Sequence, residues 1–157
     1  MKKFVDKSKP TGVIGFSLGG QATIMSASDQ EAVDKYNIGA AVAIHPAAFY
    51  RRTAQVPILF VTGDYEDEVT SYVDARYMYE HTEGVPKAYA SAQDASHAYP
   101  RTEENAWTIH AIHFFNCHLL GNLYDCNSIY VKEENDDPCS LCSCPELVEI
   151  SECYTDF

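Results

Sequence analysis

A serine flanked by glycines occupies the most informative position in this chain. Residues 12–20 read Gly-Val-Ile-Gly-Phe-Ser-Leu-Gly-Gly, so Gly15 and Gly19 lie two residues before and after Ser17. An apolar run that leads into this G-x-S-x-G spacing predicts a strand that turns sharply into a helix, with the serine hydroxyl exposed at the corner. We expect side chains at either glycine to collide with the adjoining strand and helix. The backbone N–H of Leu18 is then a candidate oxyanion donor.

A serine hydroxyl becomes an effective nucleophile when a base accepts its proton. His97 is the candidate base because it stands in the loop between the last predicted strand and the last predicted helix. A carboxylate is also needed to hold the imidazole in one tautomer and to stabilise its protonated form. One acidic turn after an earlier apolar strand offers the candidates Asp64, Glu66, Asp67 and Glu68.

The elements that must position these residues alternate along the chain. Apolar runs predict strands at 12–16, 40–44, 56–61 and 87–91, and helical periodicity predicts helices over 20–35, 70–83 and 103–120. Strands that are apolar on both faces and alternate with helices are typical of a parallel sheet covered by helices. We therefore predict an α/β fold with a doubly wound, mostly parallel sheet of about four strands. The candidate residues follow strand ends, where open α/β sheets place their sites.

Length and charge restrict the possible classes of protein. A chain of 157 residues with 46% hydrophobic residues can bury a core and is expected to form one main domain. Its net charge of −12 argues against nucleic acid and anionic membrane surfaces as partners. No apolar run approaches the ~20 residues of a membrane span. The first ten residues contain no apolar segment typical of a signal peptide.

From residue 11 to about 131 the sequence resembles the C-terminal half of an α/β-hydrolase. It is most similar to dienelactone-hydrolase-like esterases and to their polyester-hydrolase, cutinase-type lipase and chlorophyllase-like relatives. The segments that carry this resemblance are GFSLGG at 15–20, AIHPAAF at 43–49, VPILFVTGDYEDEV at 56–69, VPKAYASAQDASHAYP at 85–100 and FFNCHLLGNLYDCNSIY at 114–130.

The resemblance implies roles for particular residues. The order serine, acid, histidine is that of the family. The run from Asp67 to Val69 is similar to the D-x-V-P run that often carries the family's acid, which favours Asp67 over Asp64. His45, after the second strand, would face the substrate cleft. The paired cysteines of such secreted esterases imply a Cys117–Cys126 disulfide here. Dienelactone hydrolases proper carry a cysteine nucleophile, so Ser17 shifts the expectation towards carboxylic esters.

The sequence also departs from the family. The fold has about eight strands with the nucleophile after the fifth, so the first four strands and the loop that supplies a second oxyanion N–H would be absent. We expect a fragment, a naturally short form or a chain completed by a partner, with weak or no activity alone. The strand at 12–16 would then have an unpaired edge, which favours self-association into a homo-oligomer or an aggregate.

The C-terminal tail (residues 132–157) differs from the rest in composition. It holds eight acids and one lysine, and all six cysteines of the chain lie between Cys117 and Cys153. Such clustering favours disulfides, and hence secretion or another oxidising compartment, over a metal site. The four tail cysteines allow three pairings. We expect this tail to clasp the last helix and the catalytic domain to span residues 1–131.

These observations predict a serine hydrolase that cleaves carboxylic esters without a cofactor or a metal. Ser17 would attack, His97 would transfer the proton, Asp67 would orient His97, and Leu18 would hold part of the oxyanion. The alternative is a catalytically incompetent fragment that acts only as a binding or association module. A Cys-rich metal-binding protein is a third, less favoured hypothesis.

Overall fold

The computed structural model describes residues 6, 8–47, 49–65, 71–93, 95–97, 106–130, 141 and 150–157. Along these residues the elements are β1 Thr11–Phe16, α1 Leu18–Ser28, α2 Gln30–Tyr36, β2 Ile38–Ile44, β3 Ile58–Gly63, α3 Tyr72–His81, β4 Lys87–Ala92, α4 Ala106–Leu120, α5 Leu123–Tyr130 and β5 Ile150–Asp156.

The strands form one mixed sheet in the order β1-β2-β3-β4-β5. Strands β1 to β4 are parallel to one another, and β5 is antiparallel to β4. The predicted α/β fold with a mostly parallel sheet is therefore confirmed. The predicted number of about four strands is corrected to five within the described residues.

Two apolar cores lie on the two faces of this sheet. In β3, Leu59 and Val61 belong to the core under α4 and α5, whereas Ile58 and Phe60 belong to the core under α1 and α3. Because successive side chains of a strand point to opposite faces, a strand buried on both sides must be apolar at every position. This explains the apolar runs that predicted β2 and β3.

The connections determine which face each helix covers. From β1 to β4, each new strand is added on the same side of the one before it. Because crossovers between parallel strands are right-handed, this order places α1 and α3 on one face of the sheet. Helices α4 and α5, which follow β4, cover the other face. Helices on both faces were predicted correctly. The described strands contain no reversal of strand order, however, which a doubly wound sheet requires.

The predicted helix over 20–35 is two helices. Asp29 has an extended conformation and its carboxylate accepts hydrogen bonds from the backbone N–H groups of Glu31 and Ala32. An aspartate in this position ends α1 and caps α2. Asn37 then takes a left-handed conformation with φ 52° and ends α2, so β2 begins at Ile38 instead of residue 40.

The end of the C-terminal tail forms a strand that was not predicted from its residues. β5 completes the sheet beside β4, with Tyr154 opposite Tyr89. Tyr79 of α3 lies 6.0 Å from both rings, measured between centroids. The tail also contacts the helix layer, because Phe157 packs on Tyr130. The tail therefore covers the β4 edge of the sheet as well as the last helices.

Helices α4 and α5 form a cross-linked hairpin. Cys117 and Cys126 are joined by a disulfide, which confirms the pairing that the resemblance implied. Asp125 bonds Nδ1 of His113 across the same hairpin, and the Tyr130 hydroxyl donates to Nε2 of His118 over 2.8 Å. Cys139, Cys142 and Cys144 lie outside the described residues.

Candidate active site

Ser17 occupies the corner between β1 and α1, as predicted. Its φ of 57° and ψ of −119° lie outside the regions that ordinary side chains prefer. Its N–H donates to Ile44 O, and its carbonyl accepts from the N–H groups of Gln21 and Ala47, each over 3.0 Å. These bonds hold the strained corner in place. The serine side chain does not cap α1, so its hydroxyl remains available for other chemistry.

The glycines around Ser17 serve different purposes. A Cβ on Gly15 would lie 2.1 Å from the carbonyl oxygen of Gly19, and one on Gly20 would lie 2.9 Å from Cα of Pro46. Both positions therefore require glycine. A Cβ on Gly19 would meet no atom of the described residues within 4 Å. The expected collision at Gly19 is thus wrong, because this position faces open space and it is the Gly19 backbone that excludes a side chain at Gly15.

The N-terminus of α1 points its first amide groups into this corner. The first N–H groups of a helix have no partner within the helix. In the described part of the chain, the N–H of Ser17 is used by Ile44 and that of Gln21 by Ser17 itself, but no backbone bond uses the Leu18 N–H. Leu18 therefore stays a candidate oxyanion donor.

His97 lies beside the corner. Its ring stacks on Phe16, the residue before Ser17, with 4.8 Å between ring centroids and 17° between ring planes. Nδ1 of His97 is buried and has no hydrogen-bond partner among the described residues. The structure thus places the predicted base against Phe16, the residue that precedes the predicted nucleophile.

The start of the acidic turn contacts the loop that carries His97. The N–H of Asp64 donates to Ala92 O over 3.0 Å, and the N–H of Tyr65 donates to Ala95 O over 3.2 Å. A Cβ on Gly63 would lie 2.0 Å from that Ala95 oxygen, so only glycine permits this approach. Asp64 is half-buried at this position, whereas Asp67 falls in 66–70 and lies outside the described residues.

His45 follows β2 at the same edge of the sheet. It has a positive φ of 40°, and its side chain is only 1% exposed. Its ring centroid lies 6.0 Å from those of both Phe16 and His97. His45 is therefore buried beside the Phe16 and His97 rings, and its role as a substrate contact stays a prediction.

The three histidines of α4 each pack against an aromatic side chain. Burial, with a smaller effect of nearby His113, lowers the pKa of His110 to about 4. Burial also lowers the pKa of His118 to about 4, so that its neutral ring accepts the hydrogen bond from Tyr130. Burial raises the pKa of Tyr130, which keeps this phenol protonated as the donor.

Two features of the site were not predicted. Phe16 supplies the surface on which His97 stacks, but as a strand residue it reads only as core. Gln21 is buried and binds both the carbonyl and the N–H of Tyr50, over 3.1 and 3.2 Å. A glutamine one turn into a helix gives no sequence signal for this contact.

No protein-family model matches the chain, and no curated protein matches it. Within the described residues, none of the helices has both the length and the apolar character needed to cross a membrane.

Proposed function

We propose that this protein is a serine hydrolase of carboxylic esters, with an active site of the α/β-hydrolase kind. The observation that carries the proposal is the strained conformation of Ser17 at a strand-to-helix corner beside the stacked His97 ring. A non-glycine residue held in such a conformation costs on the order of 1–3 kcal/mol, and such residues cluster at functional sites. A structural turn at this position would be satisfied by glycine.

The proposed reaction proceeds in two steps. Ser17 Oγ attacks the ester carbonyl while His97 accepts the hydroxyl proton, and the oxyanion binds at the Leu18 N–H near the positive end of α1. His97 then protonates the departing alkoxide, which leaves an acyl group on Ser17 and an alcohol in solution. Water next attacks the acyl group, His97 accepts its proton, and the return of that proton to Ser17 releases the acid.

The buried Nδ1 of His97 suggests where the acid binds. A carboxylate at Nδ1 leaves Nε2 for the serine, so the acid must come from a neighbouring segment. The turn after β3 is tied to the His97 loop through Asp64 and Tyr65, and we favour Asp67 of this turn. In the assay described next, Asp67→Asn should lower kcat by about 10⁴-fold, and Asp64→Asn should have a smaller effect.

A fluorophosphonate probe tests the proposal directly. The wild-type protein should be labelled on Ser17, and Ser17→Ala should abolish labelling and lower ester kcat by about six orders of magnitude if the site acts as a unit. Ser26→Ala, on α1 away from the corner, is the matched control and should be labelled normally. Equal ester turnover by the wild type and Ser17→Ala would refute the proposal.

One observation favours a second function, that of an association module without catalysis. β1 pairs only with β2 among the described strands, which makes its other edge a candidate surface for a partner. This function predicts a folded protein that associates but is not labelled. We place the protein in a secretory or otherwise oxidising compartment, with which the Cys117–Cys126 disulfide is compatible.

A further inference from the structure

Four large apolar side chains on segments tied to Ser17 or to the His97 loop are exposed, and we infer that they bind the substrate. Leu18 is 63%, Phe49 60%, Tyr50 61% and Tyr65 64% exposed. We call these four residues the apolar rim. The inference rests on the proposed function and specifies it further, because it assigns neutral apolar esters as the substrate class.

The first side of the apolar rim is fixed to the nucleophile. Leu18 directly follows Ser17, and the Ala47 N–H donates to the Ser17 carbonyl at the start of the loop that carries Phe49 and Tyr50. The buried Gln21 side chain then binds both backbone groups of Tyr50. Because Gln21 lies one turn after Ser17 on α1, the backbone of Tyr50 is held close to the corner.

The opposite side of the apolar rim is fixed to the base. The Tyr65 N–H donates to Ala95 O, two residues before His97. Tyr65 is thus held next to the His97 loop while its own side chain remains exposed. The exposed apolar side chains therefore come from three segments that converge on Ser17 and His97.

Backbone anchoring distinguishes the apolar rim from scattered surface residues. Single exposed apolar side chains are normal on soluble proteins and need no explanation. Here each aromatic segment is tied by hydrogen bonds to the segment that carries Ser17 or His97. Aromatic side chains on anchored backbone lose little conformational entropy when they bind an apolar ligand.

Charge around the apolar rim selects against anionic esters. The protein carries a net charge of −12, and Asp64 precedes Tyr65. Arg51, which follows Tyr50, is paired with Asp74 over 2.5 Å and stacks on Tyr77. The neighbouring Arg52 lies in a groove with Ser28 and Asp29, at the far end of α1. Of the two arginines that follow Tyr50, one is thus paired with a carboxylate and the other lines a groove at the far end of α1.

Substrate preference tests the inference. The wild type should hydrolyse p-nitrophenyl hexanoate with a kcat/KM about tenfold above that for the anionic p-nitrophenyl hemisuccinate. The Phe49→Ala/Tyr65→Ala variant should lower the ratio of kcat/KM for the hexanoate to kcat/KM for p-nitrophenyl acetate by about tenfold. Tyr36→Ala, on α2 and 59% exposed, is the matched control and should behave as the wild type.

A binding measurement separates failure of this inference from failure of the proposed function. In the Ser17→Ala background, ethyl benzoate should give saturation-transfer NMR signals that Phe49→Ala/Tyr65→Ala removes and Tyr36→Ala leaves. If neither turnover nor fluorophosphonate labelling occurs but this pattern holds, the proposed function fails and the apolar rim stands as a ligand site. If turnover occurs but the rim variant matches Tyr36→Ala, or if the hemisuccinate is preferred, the apolar rim is refuted and the hydrolase stands.

Discussion

Ser17 keeps its strained conformation because its backbone is bonded on both sides. Its N–H is held by Ile44 at the end of β2, and its carbonyl is held by α1 and by the loop after β2. Strain of this kind persists only where the surroundings determine the conformation. The single residue is therefore positioned by two strands and a helix, and the two flanking glycines contribute unequally to that positioning.

This inequality predicts opposite effects of alanine at Gly15 and Gly19. Gly15→Ala should destabilise the protein by about 1–3 kcal/mol, because its Cβ would overlap the Gly19 carbonyl at 2.1 Å. Gly19→Ala meets open space in the first turn of α1 and should be neutral or stabilising by up to about 1 kcal/mol. Urea denaturation of both variants checks this. Equal destabilisation by both would contradict the different packing of the two glycines.

The burial of His110 should make the protein less stable in acid. Its pKa is lowered to about 4 by burial, from about 6.5 in an unfolded chain. Between these two pKa values the unfolded state binds more protons than the folded state. The contribution of neutral His110 to the free energy of unfolding is therefore fully present above pH 6.5 and is lost as the pH falls towards 4. The free energy of unfolding should fall by on the order of 1–2 kcal/mol from pH 7 to 5 through this group.

The variant His110→Gln tests this assignment because glutamine does not titrate. Its free energy of unfolding, measured by urea denaturation at pH 7 and pH 5, should differ less between the two pH values than that of the wild type. His81→Gln removes an exposed histidine and is the control. If His110→Gln keeps the full pH dependence, the acid sensitivity arises from other groups.

At the scale of elements, the predictable parts of the fold are those with strong periodicity. Val56–Val61 and Lys87–Ser91 are apolar or small at nearly every position, and they predicted β3 and β4 to within two residues. The boundary at Asp29 was missed because apolar residues recur at helical spacing on both sides of it, and only the cap geometry separates α1 from α2. β5 was missed because its pairing with β4 is a long-range contact that seven residues of mixed polarity do not indicate.

The place of the candidate site could be predicted from the positions of the strands. The carboxyl ends of parallel strands meet at one edge, so Ser17, His45, Asp64 and His97 could be placed together from their positions after strands. What could not be predicted is how deeply each of these side chains is buried. Whether His45 faces solvent or is buried beside His97 depends on the rings around it. A one-dimensional pattern does not contain that information.

The α4–α5 hairpin predicts a measurable effect of its disulfide. The bond closes a nine-residue separation, and such a loop stabilises the folded state by roughly 2–3 kcal/mol in the chain-entropy model. The double variant Cys117→Ser/Cys126→Ser should be less stable by about that amount in urea denaturation. Peptide mapping of the wild type should recover a linked Cys117–Cys126 pair. Alkylation of both thiols without prior reduction would contradict this pairing.

At the scale of the whole molecule, the two sides of the sheet differ in how their strands are paired. β5 covers β4 on one side, whereas β1 has β2 as its only neighbour among the described strands. Ile14 on β1 is 52% exposed, and a groove of about 560 Å³ lies nearby, lined by Ser8, Lys9, Pro10, Phe115, Asn116, Leu119 and Leu120. An apolar, unpaired edge strand favours pairing with another chain. We therefore expect the molecule to associate through this side.

Self-association through β1 is the corresponding prediction. Light scattering at micromolar concentration should show a dimer or larger species, since pairing two β1 edges satisfies their backbone groups and buries Ile14, at about 25 cal/mol per Å² of apolar surface. Ile14→Lys places a charge on this edge and should shift the protein towards the monomer. Met25→Lys, which changes a 46% exposed side chain on α1, should not. A wild type that remains monomeric, or equal dissociation by both variants, would show that β1 is not the association surface.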